Sequence, residues 1–181
     1  MLSKWAAVKN FDPLKMSTRD VVVHLSTNVF AGSDTTAIAL RAILYFLMKN
    51  PEKMKKLQKE IDDAQRAGKL SAVISDKEVR TELPYLTAVQ KEALRIHPSV
   101  GLLLERHVPA GGVTLCGKHI PEGTIVGINP WVTQHDPKIF LEPDQFIPER
   151  WIETEHNKEQ LATMEKSIFG FGAGSRGVVG M

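Results

Sequence analysis

Two short stretches of this chain combine residue types that could take part in chemistry. In the run Ala-Gly-Ser-Asp-Thr-Thr over 31–36, a carboxylic acid, Asp34, stands beside a hydroxyl, Thr35. An acid next to a hydroxyl can pass protons through water to a reacting group. The alternative is that these polar side chains simply face solvent on a helix.

The second stretch is the glycine-rich run Phe-Gly-Ala-Gly-Ser-Arg-Gly-Val-Val-Gly over 171–180. Its glycines at 172, 174 and 177 match the spacing of a dinucleotide-binding fingerprint. That fingerprint also needs a strand before it, a helix after it and an acid about 20 residues further on. The sequence does not supply this context, so the nucleotide interpretation is weak.

A third candidate is the pair Glu92 and Arg95, which are three residues apart in a predicted helix. Residues at this spacing share one helix face, so the two side chains can form an ion pair. Taken alone, the pair indicates no more than a surface contact worth about 0.2–0.5 kcal/mol.

The element that carries Asp34 and Thr35 is a long predicted helix. Ser17 to Asp20 resembles a capping box that begins a helix. From Val21 to Lys49 there is no proline, and apolar residues recur at helical spacing. About 30 residues span roughly 45 Å, which favours a central helix. Residues 31–36 are poor helix formers, and such conflicts often mark functional sites.

The rest of the chain predicts further helices and then a small sheet. This order indicates a mainly α protein of the α+β class, with no repeat and no linker. The predicted elements are a helix from Pro51 to near Gly68, a short helix over 76–82, a helix from Pro84 to Pro98, extended runs over 102–108, 113–116 and 124–128, a polar meander over 131–151, and a short helix over 157–165.

Composition excludes several classes of function. A net charge of +2, with 43% hydrophobic and 24% charged residues, is ordinary for a soluble globular chain and argues against nucleic acid as a partner. The one cysteine, Cys116, excludes an internal disulfide. No signal peptide is recognisable, and no unbroken apolar run reaches the roughly 18 residues of a membrane span. As written, we expect the chain to be soluble and cytoplasmic.

Taken together and in order, four motifs resemble the cytochrome P-450 family. They are A-G-x-D-T-T at 31–36, E-x-x-R at 92–95, P-E-R-F/W at 148–151, and the heme loop F-x-x-G-x-R-x-C-x-G at 171–180. Residues 105–130 look most like fungal microsomal members of the pisatin-demethylase type. The resemblance implies that 1–181 is a truncated C-terminal part of a P-450 domain. We expect a partial P-450 fold with a long central helix, further helices, a small sheet, the meander and the heme loop.

One position of the heme-loop pattern does not match. The cysteine whose thiolate ligates the heme iron in the family is Val178 here. A thiolate donates electron density to the iron, whereas an isopropyl group has no lone pair. His97 and His135 are not convincing substitutes, and Cys116 is expected to behave as a small buried hydrophobe.

The resemblance also assigns roles to particular residues. It implies a buried charge triad that holds the meander beneath the heme, and a proton relay that serves oxygen activation in intact relatives. Arg106 and Arg176 are expected to pair with heme propionates, although Arg106 at a strand edge in solvent is the alternative. The implied residues are Glu92, Arg95 and Arg150 for the triad, Asp34 and Thr35 for the relay, and Arg106, Phe171, Gly174, Arg176 and Gly180 for the cofactor.

The function implied by the resemblance is that of a heme-dependent monooxygenase. Such an enzyme inserts oxygen into a small, lipophilic organic substrate, with electrons from NADPH through a reductase, on the cytosolic face of the endoplasmic reticulum membrane. Because of Val178, we expect this chain itself to be inactive, and its binding of heme is in doubt. Two alternatives remain: a non-enzymatic heme-binding pseudoenzyme fragment, and an interaction module without a cofactor.

Overall fold

Helices dominate the computed structural model, which describes residues 2–12 and 16–177. The helices are α1 Leu2–Phe11, α2 Thr18–Lys49, α3 Pro51–Arg66, α4 Asp76–Glu82, α5 Pro84–Ile96, α6 Pro130–Gln134 and α7 Lys158–Lys166. The strands are β1 Leu104–His107, β2 Val113–Leu115, β3 Lys118–Ile120 and β4 Ile125–Ile128, and two short 3₁₀ turns cover Pro148–Trp151 and Gly174–Arg176.

The predicted central helix is confirmed in α2. The Ser17 hydroxyl accepts the Asp20 N–H at 3.2 Å, and the Asp20 carboxylate accepts the Ser17 N–H at 2.8 Å. This reciprocal capping box satisfies two N–H groups that a helix start leaves unpaired. The helix runs without a break through 31–36. There the hydroxyls of Ser33 and Thr35 donate to the carbonyls of Val29 and Ala31, one turn back.

α3 and α5 each begin at a proline, as predicted, since a proline at the first helical position gives up an N–H that has no partner there. α5 has no cap from its own preceding residue. Instead the Glu60 carboxylate of α3 accepts the N–H groups of Tyr85 and Leu86 at 2.7 and 2.9 Å. A carboxylate at a helix N-terminus also complements the helix dipole. This contact ties α3 to the start of α5.

The predicted single small sheet is instead two separate antiparallel pairs. β1 pairs with β4, with Arg106 opposite Val126, and β2 pairs with β3. Cys116 and Gly117 form the two-residue turn between β2 and β3, with φ of 48° and 76°. A tight hairpin turn of this kind favours positive φ at both positions. Strand β3 was not predicted, because Lys-His-Ile is too short and too polar to show an alternating pattern.

The main core lies where α2, α3, α5 and the meander meet. α5 is at its centre, since Val89 and Ala93 are completely buried. The ring of Phe146, from the meander, stacks on Phe46 of α2 with 5.2 Å between ring centroids. The buried members of this cluster are Leu47, Leu57, Tyr85, Val89, Ala93, Ile96 and Phe146.

Much of α2 is exposed, with buried residues confined to its C-terminal half, Ala42 and Leu47. Within the described ranges, α2 is the helix long and apolar enough to cross a membrane, with an 18-residue window of mean hydropathy 1.2, of which 6% is buried. The sequence predicted no membrane span because no apolar run is unbroken for about 18 residues. The mean hydropathy of a window can still be high when the window contains an isolated charged residue. The core helix of a soluble protein gives the same signal.

The meander offers a test of this core. Phe146→Ala is expected to lower the free energy of unfolding by about 3–5 kcal/mol, because it removes a buried ring and leaves a cavity. Leu141→Ala, five residues earlier and at a side chain that is 69% exposed, is the matched control and should change it by less than about 0.5 kcal/mol. Urea unfolding measures both, and equal losses would contradict the core described above.

Candidate functional site

The Glu92 carboxylate is completely buried and is held by several donors. Arg95, also completely buried, donates from Nε to Oε2 at 3.0 Å and from Nη2 to Oε1 at 2.9 Å. Arg150 donates from Nε to Oε1 at 3.0 Å. The indole N–H of Trp151 and the backbone N–H of Ile147 complete the set at 2.7 and 3.0 Å. Glu92 thus joins the end of the meander to α5.

Arg95 also reaches other parts of the meander. Its Nη1 donates to the carbonyl of Gln134 at 2.8 Å, and its Nη2 to the carbonyl of Gln145 at 3.2 Å. The guanidinium carbon lies 5.1 Å from the ring centroid of Phe140, a cation–π contact. The planar guanidinium presents five N–H donors in a fixed fork, so one side chain can connect several partners. Arg95 therefore fixes both the start and the end of the meander.

Glu149, next to Arg150, faces α3. It accepts from Lys56 at 2.8 Å, from Lys53 at 3.3 Å and from the Tyr85 hydroxyl at 3.0 Å. Partial burial opposes ionisation of Glu149, but the Lys56 hydrogen bond and the other donors outweigh it and lower its pKa from 4.5 to about 2. Burial, together with the hydrogen bond to Glu149, raises the pKa of the Tyr85 hydroxyl.

The glycine loop lies beside β1, and the segment just before it contacts Gln134 at the start of the meander. Gly172 and Gly174 have φ of 76° and 66°, in the left-handed region that residues with a Cβ rarely adopt. Arg106 of β1 donates to the carbonyl of Ala173 at 3.4 Å. A cavity of about 370 Å³ between the loop and the β1–β4 pair is lined by Arg106 and Gly174, among others. The side chain of Arg176, and all of Val178 and Gly180, lie outside the described residues.

The middle of α2 also approaches the loop. Thr35 and Phe171 line one largely apolar cavity of about 260 Å³. Asp34 is exposed and lines a different groove, together with Val29 and Phe30. Neighbours on an α-helix are about 100° apart, since 3.6 residues make a turn, so consecutive residues face different directions. The structure therefore places Thr35 beside the loop and Asp34 away from it.

The donor set available for an iron ion is poor. Within 2–12 and 16–177, no three His, Cys, Asp or Glu side chains converge in a way that could hold a metal. His97 and His135 pack against the ring of Trp131, with centroid distances of 6.1 and 4.7 Å. Cys116, expected to be a buried hydrophobe, is exposed because it lies in the hairpin turn. These residues, with Val178 in the loop, do not fit a heme iron held by a thiolate.

Two polar residues near the site were not identified as site residues from the sequence. Gln134, completely buried, contacts α5 and the segment before the loop. The Ser99 hydroxyl donates to the carbonyl of Thr35 at 2.9 Å and so ties the segment after α5 to the middle of α2. Neither residue belongs to a recognised motif, and a polar residue in a polar segment gives no sign of burial in a single sequence.

Comparison with known proteins decides the family. The family model described as cytochrome P-450 matches residues 1–181, the whole chain. The chain belongs to the cytochrome P-450 family.

Fungal P-450 proteins are among its relatives. A cytochrome P-450 monooxygenase of Aspergillus terreus is 47% identical over 156 residues, which cover 86% of this chain and 31% of that protein. A pisatin demethylase of Fusarium vanettenii is 44% identical over 154 residues, or 84% and 28% of the two chains. The chain thus matches about a third of the length of these P-450 relatives.

A solved structure supports the P-450 fold. A structure of a zebra fish cytochrome P-450 with progesterone superposes with a TM-score of 0.70 and 32% identity, over 91% of this chain and 35% of that one. The expected partial P-450 fold is confirmed.

The buried carboxylate gives a direct test of the P-450 triad geometry. Glu92→Gln keeps the size of the side chain but leaves two buried guanidinium groups without an anion, so the free energy of unfolding is expected to fall by about 3–5 kcal/mol. Asp76→Asn breaks the exposed pair with Arg80 (2.8 Å) and should cost less than about 1 kcal/mol. Urea unfolding of both variants checks this, and a loss for Glu92→Gln as small as the control's would be inconsistent with a buried charge network.

Glu149 predicts a pH dependence of stability. Its pKa is lower in the folded chain, so ionised Glu149 stabilises the fold above about pH 4.5, and this contribution is lost as the pH falls toward 2. Glu149→Gln should therefore be less stable near neutral pH and lose less stability on acidification through that window. Glu153→Gln, whose partner is the exposed Lys158, is the control. Urea unfolding at several pH values measures both, and parallel curves for wild type and Glu149→Gln would contradict the lowered pKa.

Proposed function

We propose that this chain is the C-terminal part of a heme-dependent monooxygenase domain and does not itself carry out the reaction. The intact form of the domain inserts oxygen into a small, lipophilic organic substrate, with electrons from NADPH delivered by a reductase. Its place in full-length relatives is the cytosolic face of the endoplasmic reticulum membrane. The family membership supports this class of reaction, and Val178 is the reason for excluding this chain from catalysis.

One observation carries the proposal. The cavity of about 260 Å³ is lined by Thr35 from the A-G-x-D-T-T motif and by Phe171 from the heme-loop motif, which are 136 positions apart in the sequence. The cavity is largely apolar and is also lined by Ala39, Leu94 and Val100. An apolar cavity with a few polar groups is the usual form of a cofactor or ligand site.

The motif residues would have distinct roles in the intact domain. Thr35 and Asp34 form the proposed proton relay, and since they face different directions, water must connect them. Phe171 and Gly174 shape the described part of the loop, and the family pattern assigns its last position to Gly180, outside the described residues. Heme, when bound by an intact relative, supplies the iron chemistry of oxygen reduction.

The proposed propionate partners are Arg106 and Arg176. The Arg106 guanidinium already lies at the loop, with Nη2 at 3.4 Å from the Ala173 carbonyl oxygen. Arginine suits this role because it pairs with a carboxylate through two parallel hydrogen bonds.

Val178 favours a second candidate function, a non-enzymatic heme-binding fragment. Such a fragment needs the apolar cavity and a cationic partner for the propionates but does not need a thiolate. A chain that takes up no heme at all would instead act as an interaction module without a cofactor.

Spectroscopy separates these possibilities. With hemin, reductant and carbon monoxide, the wild-type chain is expected to show no thiolate-type ferrous carbonyl band. Val178→Cys should convert part of the bound heme to that band, because it supplies sulfur at the ligand position. Val179→Cys, one position further on, is the matched control and should not.

The same titration can contradict the proposal. A thiolate-type band in the wild type, or equal bands from the two cysteine variants, would show that position 178 is not the ligand position. Hemin binding by the wild type without that band supports the non-enzymatic heme-binding candidate. No hemin binding by any of the three chains rejects that candidate and favours the interaction module without a cofactor.

A further inference from the structure

Gln134 is the strongest candidate for a role that the motifs do not assign. We infer that Gln134 is a positioning residue, which sets where the glycine loop begins relative to α5 and so where the segment leading to residue 178 starts. The consequence for heme rests on the proposed function, whereas the contacts of Gln134 do not.

Gln134 is the last residue of α6 and is completely buried. Its Nε2 donates to the carbonyls of Leu94 and Arg95 at 3.2 and 2.9 Å. Both carbonyls lie in the last turn of α5, where a helix leaves its C=O groups without intrahelical partners. Its Oε1 accepts the backbone N–H of Phe169 at 3.0 Å. One side-chain amide therefore joins the end of α5 to the residue two positions before Phe171.

The main chain of Gln134 strengthens this connection, since its carbonyl accepts Nη1 of Arg95. The same arginine binds Glu92. Gln134 therefore connects the start of the loop to the buried charge network. The loop also passes close to the amide: a Cβ added to Gly170 would lie 3.7 Å from Oε1 of Gln134.

The loop has few other fixed points in the described part of the chain. Its hydrogen bonds at Gly172 and Gly177 are internal turns. The link from Arg106 to Ala173 is long, at 3.4 Å, and exposed. The Gln134 contact is part-buried and shorter, at 3.0 Å. It is therefore the shorter of the two hydrogen bonds that join 169–177 to the rest of the described chain.

The chemistry of the site requires an amide. A primary amide offers two N–H donors and a carbonyl acceptor, which is the combination that two carbonyls and one N–H need. An ionised glutamate has no donor, and its charge would face two carbonyl oxygens. Methionine has neither strong donor nor strong acceptor, and neutral histidine can donate once and accept once.

Hydrogen exchange of backbone amides, read by NMR, tests the inference without a cofactor. In the wild-type chain, the amide of Phe169 should be protected. In Gln134→Met its protection should fall by about tenfold or more. Gln145→Met is the matched control, because its exposed side chain lies in the same meander, and it should leave Phe169 unchanged.

Gln134→Glu separates positioning from mere packing. At neutral pH this variant should lose protection at Phe169. Burial raises the pKa of a carboxyl group, so mild acidification to about pH 5 should protonate it and restore part of the protection. A protonated carboxyl can again donate once and accept once. Gln134→Met should show no such recovery when both are compared as protection factors.

The outcomes are decisive even if a variant fails to fold. A Phe169 amide that exchanges freely in the wild type overturns the inference without any substitution. So does unchanged protection in Gln134→Met, or a Gln134→Glu variant whose protection does not depend on pH.

The heme consequence has a separate readout. In the Val178→Cys background, Gln134→Met should reduce the thiolate-type share of the ferrous carbonyl spectrum. If Val178→Cys shows no such band, the proposed ligand role of position 178 fails in this chain, while the exchange data still test Gln134. If the band is present and Gln134→Met does not reduce it, the inference fails alone.

Discussion

The Glu92 carboxylate lies out of contact with water, and this places a strict requirement on the chain around it. A buried charge is tolerated only when it is paired and hydrogen-bonded. Its partners come from α5 itself and from 147–151, so the end of the meander must lie on α5. Satisfying one carboxylate thus determines the course of a segment more than fifty residues away.

The same requirement extends toward the cofactor region. Arg95 has N–H groups that Glu92 does not use, and these find the carbonyls of Gln134 and Gln145. Gln134 in turn contacts the backbone just before the glycine loop. A contiguous set of hydrogen bonds therefore connects the buried charge to the loop. These contacts are present in a chain that has valine at position 178.

Local patterns explain what could be predicted from the sequence. α2 was found because its capping box and its proline-free apolar periodicity are local signals, and α3 and α5 because each begins at a proline. The partial P-450 fold followed from four motifs in order. The pairing of Glu92 with Arg95 is visible in the sequence as helical spacing, whereas their burial was expected only from the family resemblance.

The parts that were missed depend on tertiary contacts. Glu60 caps α5 from another helix, and Gln134 is buried by segments distant in sequence, so no local pattern marks either. β3 is three residues long and paired through a turn at Cys116 that does not have a usual turn sequence. The different directions of Asp34 and Thr35 follow from helix geometry, yet which side meets the loop depends on packing.

Hydrogen exchange of the Trp151 indole N–H tests the buried carboxylate most directly. This proton is donated to Glu92 at 2.7 Å inside the core. We predict that it exchanges only when the whole fold opens, with an exchange free energy equal to the free energy of unfolding. The indole of Trp131, which is 47% exposed, is an internal reference and should exchange fast. Exchange of the Trp151 proton as fast as that of Trp131 would contradict the account.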